Sequence, residues 1–256
     1  MLYVYPIGGI GNFLFQIAAI WTLAKDNNDE LALLNIDAAI SELNACNLYG
    51  MKHANAYKYI FDRFSVAGNT IAEVIQYEWD YTPLEYKNGY QYLGYFQTEK
   101  HFKHRKSELL ELFRPDDSFV DAINKYSYLF NGVSLHVRRT DYVEHYSNIH
   151  PAQTIDYYES ALQNVPENLK VAIFSDDLEW CKLRFIGDRY VFIDEIDYIC
   201  LYIMTKMKYH IIANSSFSWW GAWLAKNVDL VICPKIWFRN NCISDTDICP
   251  DEWLKL

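Results

Sequence analysis

The stretch Val133-Ser-Leu-His-Val-Arg-Arg-Thr-Asp-Tyr142 constrains this chain more than any other. It begins as a buried strand, in which Val133, Leu135 and Val137 alternate with smaller or polar residues, and it ends in Arg138, Arg139 and Asp141. Two adjacent arginines just beyond an apolar strand are costly unless something negative meets them. In an open α/β sheet, ligands sit outside the carboxyl ends of the strands. Guanidinium offers a planar fork of donors that matches phosphate oxygens and keeps its charge. The stretch reads as a diphosphate clamp, with a structural Arg–Asp salt bridge as the competing reading.

The pattern around it is regular. Helix 118–130 leads into strand 132–137, and helix 154–164 follows a looser loop from Glu144 to Gln153. Strand Lys170 to Phe174 ends in Ser175, Asp176 and Asp177, one of the two aspartates starting the helix that runs to Phe185. Strand 190–193, helix 195–208 and strand 210–213 come next, then Asn214, Ser215, Ser216 and Ser218, helix 219–226 and strand 230–233. Such alternation predicts a parallel, doubly wound sheet with right-handed crossovers. It places three polar turns on one sheet edge: 136–141, 175–177 and 214–218. Arg138 and Arg139 would neutralise a diphosphate, and Ser215, Ser216 and Ser218 beside a helix start would add donors to the same anion. Asp176 or Asp177 would accept from a ribose or a base, or cap the helix. Asp141 and Glu144 are the carboxylates near enough to take a proton from an acceptor hydroxyl, although Asp141 could instead brace Arg138. Trp219, Trp220 and Trp223 read mainly as core, with room for one in a sugar pocket.

The N-terminal part is less regular. Strand Leu2–Pro6, a turn containing Gly8, Gly9, Gly11 and Asn12, and helix 13–25 form a ligand-facing strand–turn–helix unit. A dinucleotide fingerprint would need glycine where Leu14 stands, so GxGxxG fails, although Asp37 after strand 31–35 could mimic the ribose acid. Residues 57–64 are expected to be helical and 70–79 extended. An aromatic strand from Tyr92 ends at Gln97, and Thr98 caps a helix running to Phe113. His101 and His104 are spaced for a metal pair, but without an accompanying carboxylate motif they read as a solvated helix face. Arg114-Pro-Asp-Asp117 is the expected boundary, dividing the chain into domains 1–115 and 116–256.

A net charge of −10 speaks against non-specific nucleic-acid binding. The cysteines Cys46, Cys181, Cys200, Cys233, Cys242 and Cys249 form no CxxC pair. Cys181, Cys200 and Cys233 read as core packing, and a reducing compartment is expected. There is no signal-peptide pattern and no apolar run long enough to span a membrane, so a cytoplasmic location is expected, with peripheral membrane attachment left open. No metal site is expected, because Asp245 and Asp247 match a bare DxD in a polar tail and not after a strand.

His136-Val-Arg-Arg-Thr-Asp-Tyr142 resembles the HxRRxD motif of α-1,2- and α-1,6-fucosyltransferases. Gly8-Gly-Ile-Gly-Asn-Phe-Leu-Phe-Gln16 resembles the GGLGNQLFQ start of the bacterial α-1,2-fucosyltransferase family, and Gly94-Tyr-Phe-Gln-Thr-Glu-Lys-His-Phe102 its GYxQSEKYF segment. Phe174-Ser-Asp-Asp177 and Asn214-Ser-Ser-Phe-Ser-Trp-Trp-Gly-Ala-Trp-Leu224 are similar to two further blocks. The resemblance implies a GT-B-type fold of two Rossmann-like domains facing a cleft. It implies metal-independent, inverting transfer from GDP-fucose to a glycan, with a galactoside as the favoured acceptor and no cofactor. Arg138 would hold the β-phosphate, His136 and Arg139 would lie by the nucleotide, Asp176 or Asp177 would read guanine, and Ser215 and Ser216 would contact phosphate. The Asn12 turn would face the cleft. Phe13 replaces the usual Gln, which implies altered acceptor contacts, and Thr140 replaces Gly and matches the α-1,6 type. The competing classes are another GDP-sugar transferase, an inactive glycan- or nucleotide-binding relative, and a nucleotide-dependent oxidoreductase.

Overall fold

A computed structural model describes residues 1–45, 54–68, 73–239 and 243–256. Thr70, Cys46 and Cys242 lie outside them. The chain divides into two compact units, one built from Met1–Cys46, Ala54–Asp116 and Ile243–Pro250, the other mainly from Asp117–Cys242 and Asp251–Leu256. Each unit holds one parallel sheet flanked by helices, the two-Rossmann-domain architecture of the GT-B type.

Unit 1 contains β1 (Leu2–Val4), α1 (Ile10–Asp26), β2 (Leu31–Leu34), α2 (Ile36–Ala45), α3 (Lys58–Phe61), β3 (Ser65–Ala67), β4 (Val74–Gln76), β5 (Gln91–Leu93) and α4 (Lys106–Leu112). Its sheet order is β3-β2-β1-β5-β4, parallel throughout. α1 is apolar nearly all round and buries both faces, from Ile10 and Phe13 to Ile20 and Ala24. A helix of that kind must lie inside its unit. Asp37 does not mimic a ribose acid: it sits in the first turn of α2, 81% exposed, and pairs with Lys58 at 3.1 Å.

The expected helix 98–113 is interrupted. Thr98 accepts from the Lys100 N–H as anticipated, but two 3₁₀ turns (Glu99–His101 and Lys103–Arg105) precede α4. Phe102 leaves helical geometry to bury its ring against Phe15, 6.0 Å away. His101 and His104 consequently share no metal-like face: His104 meets Asp26 at 2.9 Å, while His101 lies among aromatic rings.

Unit 2 contains α5 (Val120–Asn124), β6 (Val133–Val137), α6 (Thr140–Glu144), α7 (Ile155–Leu162), β7 (Val171–Ser175), α8 (Leu178–Arg184), β8 (Tyr190–Phe192), α9 (Asp197–Met204), β9 (Tyr209–Ile211), α10 (Ser216–Trp223), β10 (Leu230–Cys233) and β11 (Leu254–Lys255). Its order is β11-β10-β9-β6-β7-β8, all parallel. Read from the other edge this is the doubly wound 3-2-1-4-5-6 order, whose strand sequence reverses between β6 and β9. β6 is buried along its whole length, as a central strand covered on both faces must be.

Two expected helices shift. The segment 118–130 is not one helix but α5 between two 3₁₀ turns, because its buried residues Ile123 and Leu129 stand six apart and out of helical phase. α10 begins at Ser216 and not at Trp219, since the Trp219 N–H already bonds to the Ser215 carbonyl at 3.0 Å. Trp219, Trp220 and Trp223 are all buried and pack on one another, with Trp219 also against Trp253, so they serve the core. Cys181, Cys200 and Cys233 are buried, as expected. Among the described residues, no helix is long and apolar enough to cross a membrane.

Candidate active site

The reversal point of unit 2 gathers the charged residues of the chain's most constrained stretch. β6 delivers Arg138 and Arg139 to the carboxyl edge, and its neighbour β7 delivers Ser175, Asp176 and Asp177. Arg138 Nε lies 3.0 Å from Asp141 Oδ1 and its terminal nitrogen 3.5 Å from Asp176 Oδ2, with both carboxylates almost fully buried. The guanidinium also lies 5.6 Å from the centre of the Tyr142 ring. Burial opposes its charge, but Asp176 and Asp141 outweigh burial and hold it above the ordinary arginine value. Asp141 is therefore a close ion-pair partner for Arg138. The arrangement fixes the cation between two buried carboxylates.

Asp176 organises the turn itself. Its Oδ1 accepts from the Arg139 backbone N–H at 2.9 Å, and its Oδ2 accepts from the Thr140 N–H at 3.0 Å and from the Thr140 hydroxyl. One carboxylate thus satisfies the amides that open α6 and anchors them to the neighbouring strand. Asp177 does two things. Its Oδ1 caps α8 by accepting from Trp180 N at 3.0 Å, and its Oδ2 lies 3.2 Å from Arg139 Nε. Arg139 stacks over the Trp180 ring at 4.2 Å. Ser175 turns inward, its hydroxyl accepting from the Asp177 N–H at 2.9 Å.

The loop after β9 closes the other side. The Tyr142 hydroxyl donates to the Asn214 carbonyl at 2.9 Å, and the Asn214 side chain is held by Gln153 at 3.1 Å and the Trp237 carbonyl at 2.9 Å. His136 is buried, and its ring lies 5.5 Å from that of Phe217. Burial and, secondarily, Arg138 hold His136 well below the usual histidine range, against the pull of Asp176. It is neutral at pH 7, and its Nδ1 makes no hydrogen bond within the chain. Ser215 immediately precedes α10 and Ser216 is its first residue. Ser218, by contrast, bonds back to the carbonyls of Ala213 and Ser215 inside the first turn.

Glu144 stands apart from this cluster, at the exposed end of α6 with His145 3.8 Å away. Sequence reasoning missed Thr140 and Tyr142 as braces, as well as His150. The His150 ring stacks on Tyr142 at 4.7 Å, and burial holds it below its ordinary value. Nothing in the loop 144–153 signals that contact, because the two rings meet only once the chain has turned back.

The turn after β1 has a different character. Gly8 takes φ +85°, open to glycine at little cost, and Gly9 precedes the first turn of α1, which contains Gly11. Asn12 Oδ1 accepts from Gln97 Nε2 at 2.8 Å, joining the turn after β1 to that after β5. Gln16, also missed, grips the Ile7 peptide with both ends of its amide, at 3.1 Å to the N–H and 2.8 Å to the carbonyl. Phe13 is core, buried against Phe61 at 5.5 Å, so it makes no acceptor contact. Among the described residues, no group of three or more His, Cys, Asp or Glu side chains is placed to hold a metal.

Two parallel-sheet units of GT-B type define a glycosyltransferase architecture, and at the end of β6 both arginines are ion-paired with aspartates, as the salt-bridge reading of that stretch expects. Residues 64–256 match the family described as Glycosyl transferase family 11, and the chain belongs to it. It is 32% identical to an Escherichia coli alpha-1,2-colitosyltransferase over 97% of this chain and 96% of that one. It is 30% identical to the E. coli O-antigen biosynthesis glycosyltransferase WbnK over 97% and 98%. Among solved structures, fucosyltransferase NodZ from Bradyrhizobium aligns with 90% of this chain and 94% of its own, at 12% identity and a TM-score of 0.46.

Proposed function

We propose that this protein transfers fucose from GDP-fucose to the 2-hydroxyl of a terminal galactoside, inverting the anomeric centre and using no metal. The observation that carries the reading is Arg138, held between Asp141 and Asp176 at the edge where a diphosphate would lie. As the bond from the sugar C1 to the β-phosphate oxygen breaks, charge builds on the leaving diphosphate. A cation already fixed there stabilises that charge without reorganising. Arg139, Ser215 and Ser216 add donors around the phosphates, and neutral His136 lies beside the nucleotide. Asp177, at the exit of β7, is the aspartate proposed to read guanine. Asp141 serves as a brace for Arg138. A cytoplasmic site of action belongs to the same reading and suits the buried thiols of Cys181 and Cys233.

The relatives' names add a second donor. Colitose is fucose without its 3-hydroxyl, so GDP-colitose would present the same diphosphate and base to unit 2. The test begins with calorimetric titration of GDP, ADP and UDP in EDTA, followed by transfer assays with GDP-fucose and GDP-colitose on lactose. Selective GDP binding with transfer from GDP-fucose is the expected result. Transfer from GDP-colitose alone would replace the sugar and keep the site. Preference for UDP or ADP would overturn the donor assignment.

A further inference from the structure

The carboxyl edge of unit 1 carries an aromatic platform that the donor chemistry does not use. β4 and β5 are paired, and just beyond their carboxyl ends the chain places Tyr77 and Trp79 on one side and Tyr95 and Phe96 on the other. Trp79 and Tyr95 stack at 4.3 Å with only 13° between their planes. Trp79 is 37% exposed and Tyr81 36% exposed, although rings this large are ordinarily buried. Beneath them the support is tight. Tyr77 lies 5.7 Å from Phe96, and His101 touches both Phe96 and Tyr81. Gly94 lies close beneath them, since a Cβ there would come within 3.0–3.2 Å of the Phe96 ring and Tyr77.

The backbone at this point is strained. Phe96 adopts φ +51°, a left-handed conformation that costs a non-glycine residue roughly 1–2 kcal/mol. The strained turn separates Tyr95, which stacks on Trp79, from Gln97, which bonds to Asn12 in the ligand-facing turn. Exposed Glu78 and Asp80 flank Trp79 in the chain, and Lys100 packs over Tyr81 at 5.3 Å and is paired with Asp247. Exposed flat rings with carboxylates next to them in the chain and an ammonium group packed over Tyr81 suit a ligand with one apolar face and a hydroxylated rim. They do not suit a purely apolar partner.

We infer that Trp79 and Tyr95 form an acceptor subsite that stacks the apolar face of a terminal β-galactoside, with Glu78, Asp80 and Lys100 holding its hydroxyls. In galactopyranose the axial 4-hydroxyl leaves an unbroken patch of C–H bonds at C3, C4 and C5 on the opposite face, which matches a flat ring. The inference gives the transferase reading its acceptor end, yet it is tested without any donor, so the two can fail separately.

The experiment is saturation-transfer NMR and titration of lactose against the full chain, free of nucleotide, with methyl β-glucoside as control. Magnetisation should reach galactose H3, H4 and H5 most strongly. Trp79→Ala should weaken lactose binding about tenfold, and Trp79→Phe, which keeps a flat ring, by no more than about threefold. GDP affinity should be unchanged in both. Lactose affinity within about twofold of wild type in Trp79→Ala, or equal losses in the Ala and Phe variants with unaltered circular dichroism, would overturn stacking. Absence of lactose binding together with Trp79-dependent binding to anionic lipid vesicles would make the platform a membrane contact and overturn the subsite. If GDP fails to bind while lactose binding depends on Trp79, the subsite stands and the donor reading falls.

Discussion

Unit 1 joins the loops of β1 and β5 with a neutral amide pair, Asn12 and Gln97, whereas unit 2 sets two arginines at the end of β6 against Asp141 and against the two aspartates that follow β7. The amide pair bridges the reversal of its sheet, between β1 and β5, and the arginines end β6, the strand that borders the reversal of the other, where a parallel sheet leaves room for a ligand. The amide pair needs no counter-ion and leaves its surroundings to aromatic rings. The arginine cluster requires buried carboxylates to hold it, because a buried charge without a partner is costly. Similar topology therefore provides one edge suited to a neutral sugar and another suited to an anion.

The contrast can be broken most directly at Arg138. Arg138→Lys keeps the charge that Asp141 and Asp176 need but loses the planar fork. Turnover with saturating GDP-fucose should fall roughly 100- to 1000-fold, as when a transition-state donor is removed. The melting temperature should change little, and steady-state kinetics beside a thermal scan would read both. Near-wild-type turnover would mean that a point charge suffices and that the clamp geometry is incidental.

The second break is structural. Asp176→Ala removes the acceptor for the Arg139 and Thr140 amides and one of the two carboxylates facing Arg138. It should cost about 3–5 kcal/mol by denaturant unfolding, because it leaves a buried cation under-compensated. A cost below about 1 kcal/mol would show that Asp141 alone holds the arginine.

Acid should act on unit 1 through His101. Burial lowers its pKa to about 4 from the usual 6.5. The unfolded chain therefore binds a proton that the folded chain refuses between those values. The stabilisation is complete above pH 6.5 and is lost as pH falls toward 4, reaching about 2 kcal/mol of loss at pH 5. His101→Phe should flatten that part of the pH profile, measured by denaturant unfolding from pH 7 to 4.5. An unchanged slope would place the acid sensitivity elsewhere, and buried His210, with its pKa lowered to about 4 by burial, would be examined next.

The smallest effect is expected at the amide pair. Asn12→Ala removes one neutral hydrogen bond and should cost about 1 kcal/mol, with GDP affinity unchanged. Any loss of GDP affinity beyond about threefold would mean that the two edges are energetically coupled, and the contrast between them would need redrawing.

Residues 133–142 alone made the buried strand and its arginine terminus legible, because alternation and charge are local properties of the chain. The same holds for a helix start at Asp176 or Asp177, of which Asp177 is the cap, and for the parallel, doubly wound pattern of the second half, where strand and helix periods are clean. Local pattern was misleading where a distant partner decided the outcome. Phe102 leaves its helix to reach Phe15, and Ser216 and Ser218 enter α10, with Ser218 bonding back into the first turn. Which aspartate serves which arginine could not be read from spacing. Asp176 lies 38 residues beyond Arg138 in the numbering and reaches it only because β7 pairs with β6 in register. Sequence determines which side chains are available and which strands can form, since propensity and patterning act over a few residues. Tertiary structure decides which of those side chains meet, since only the closure of long loops into one sheet brings residues far apart in the chain within reach of a single ion pair.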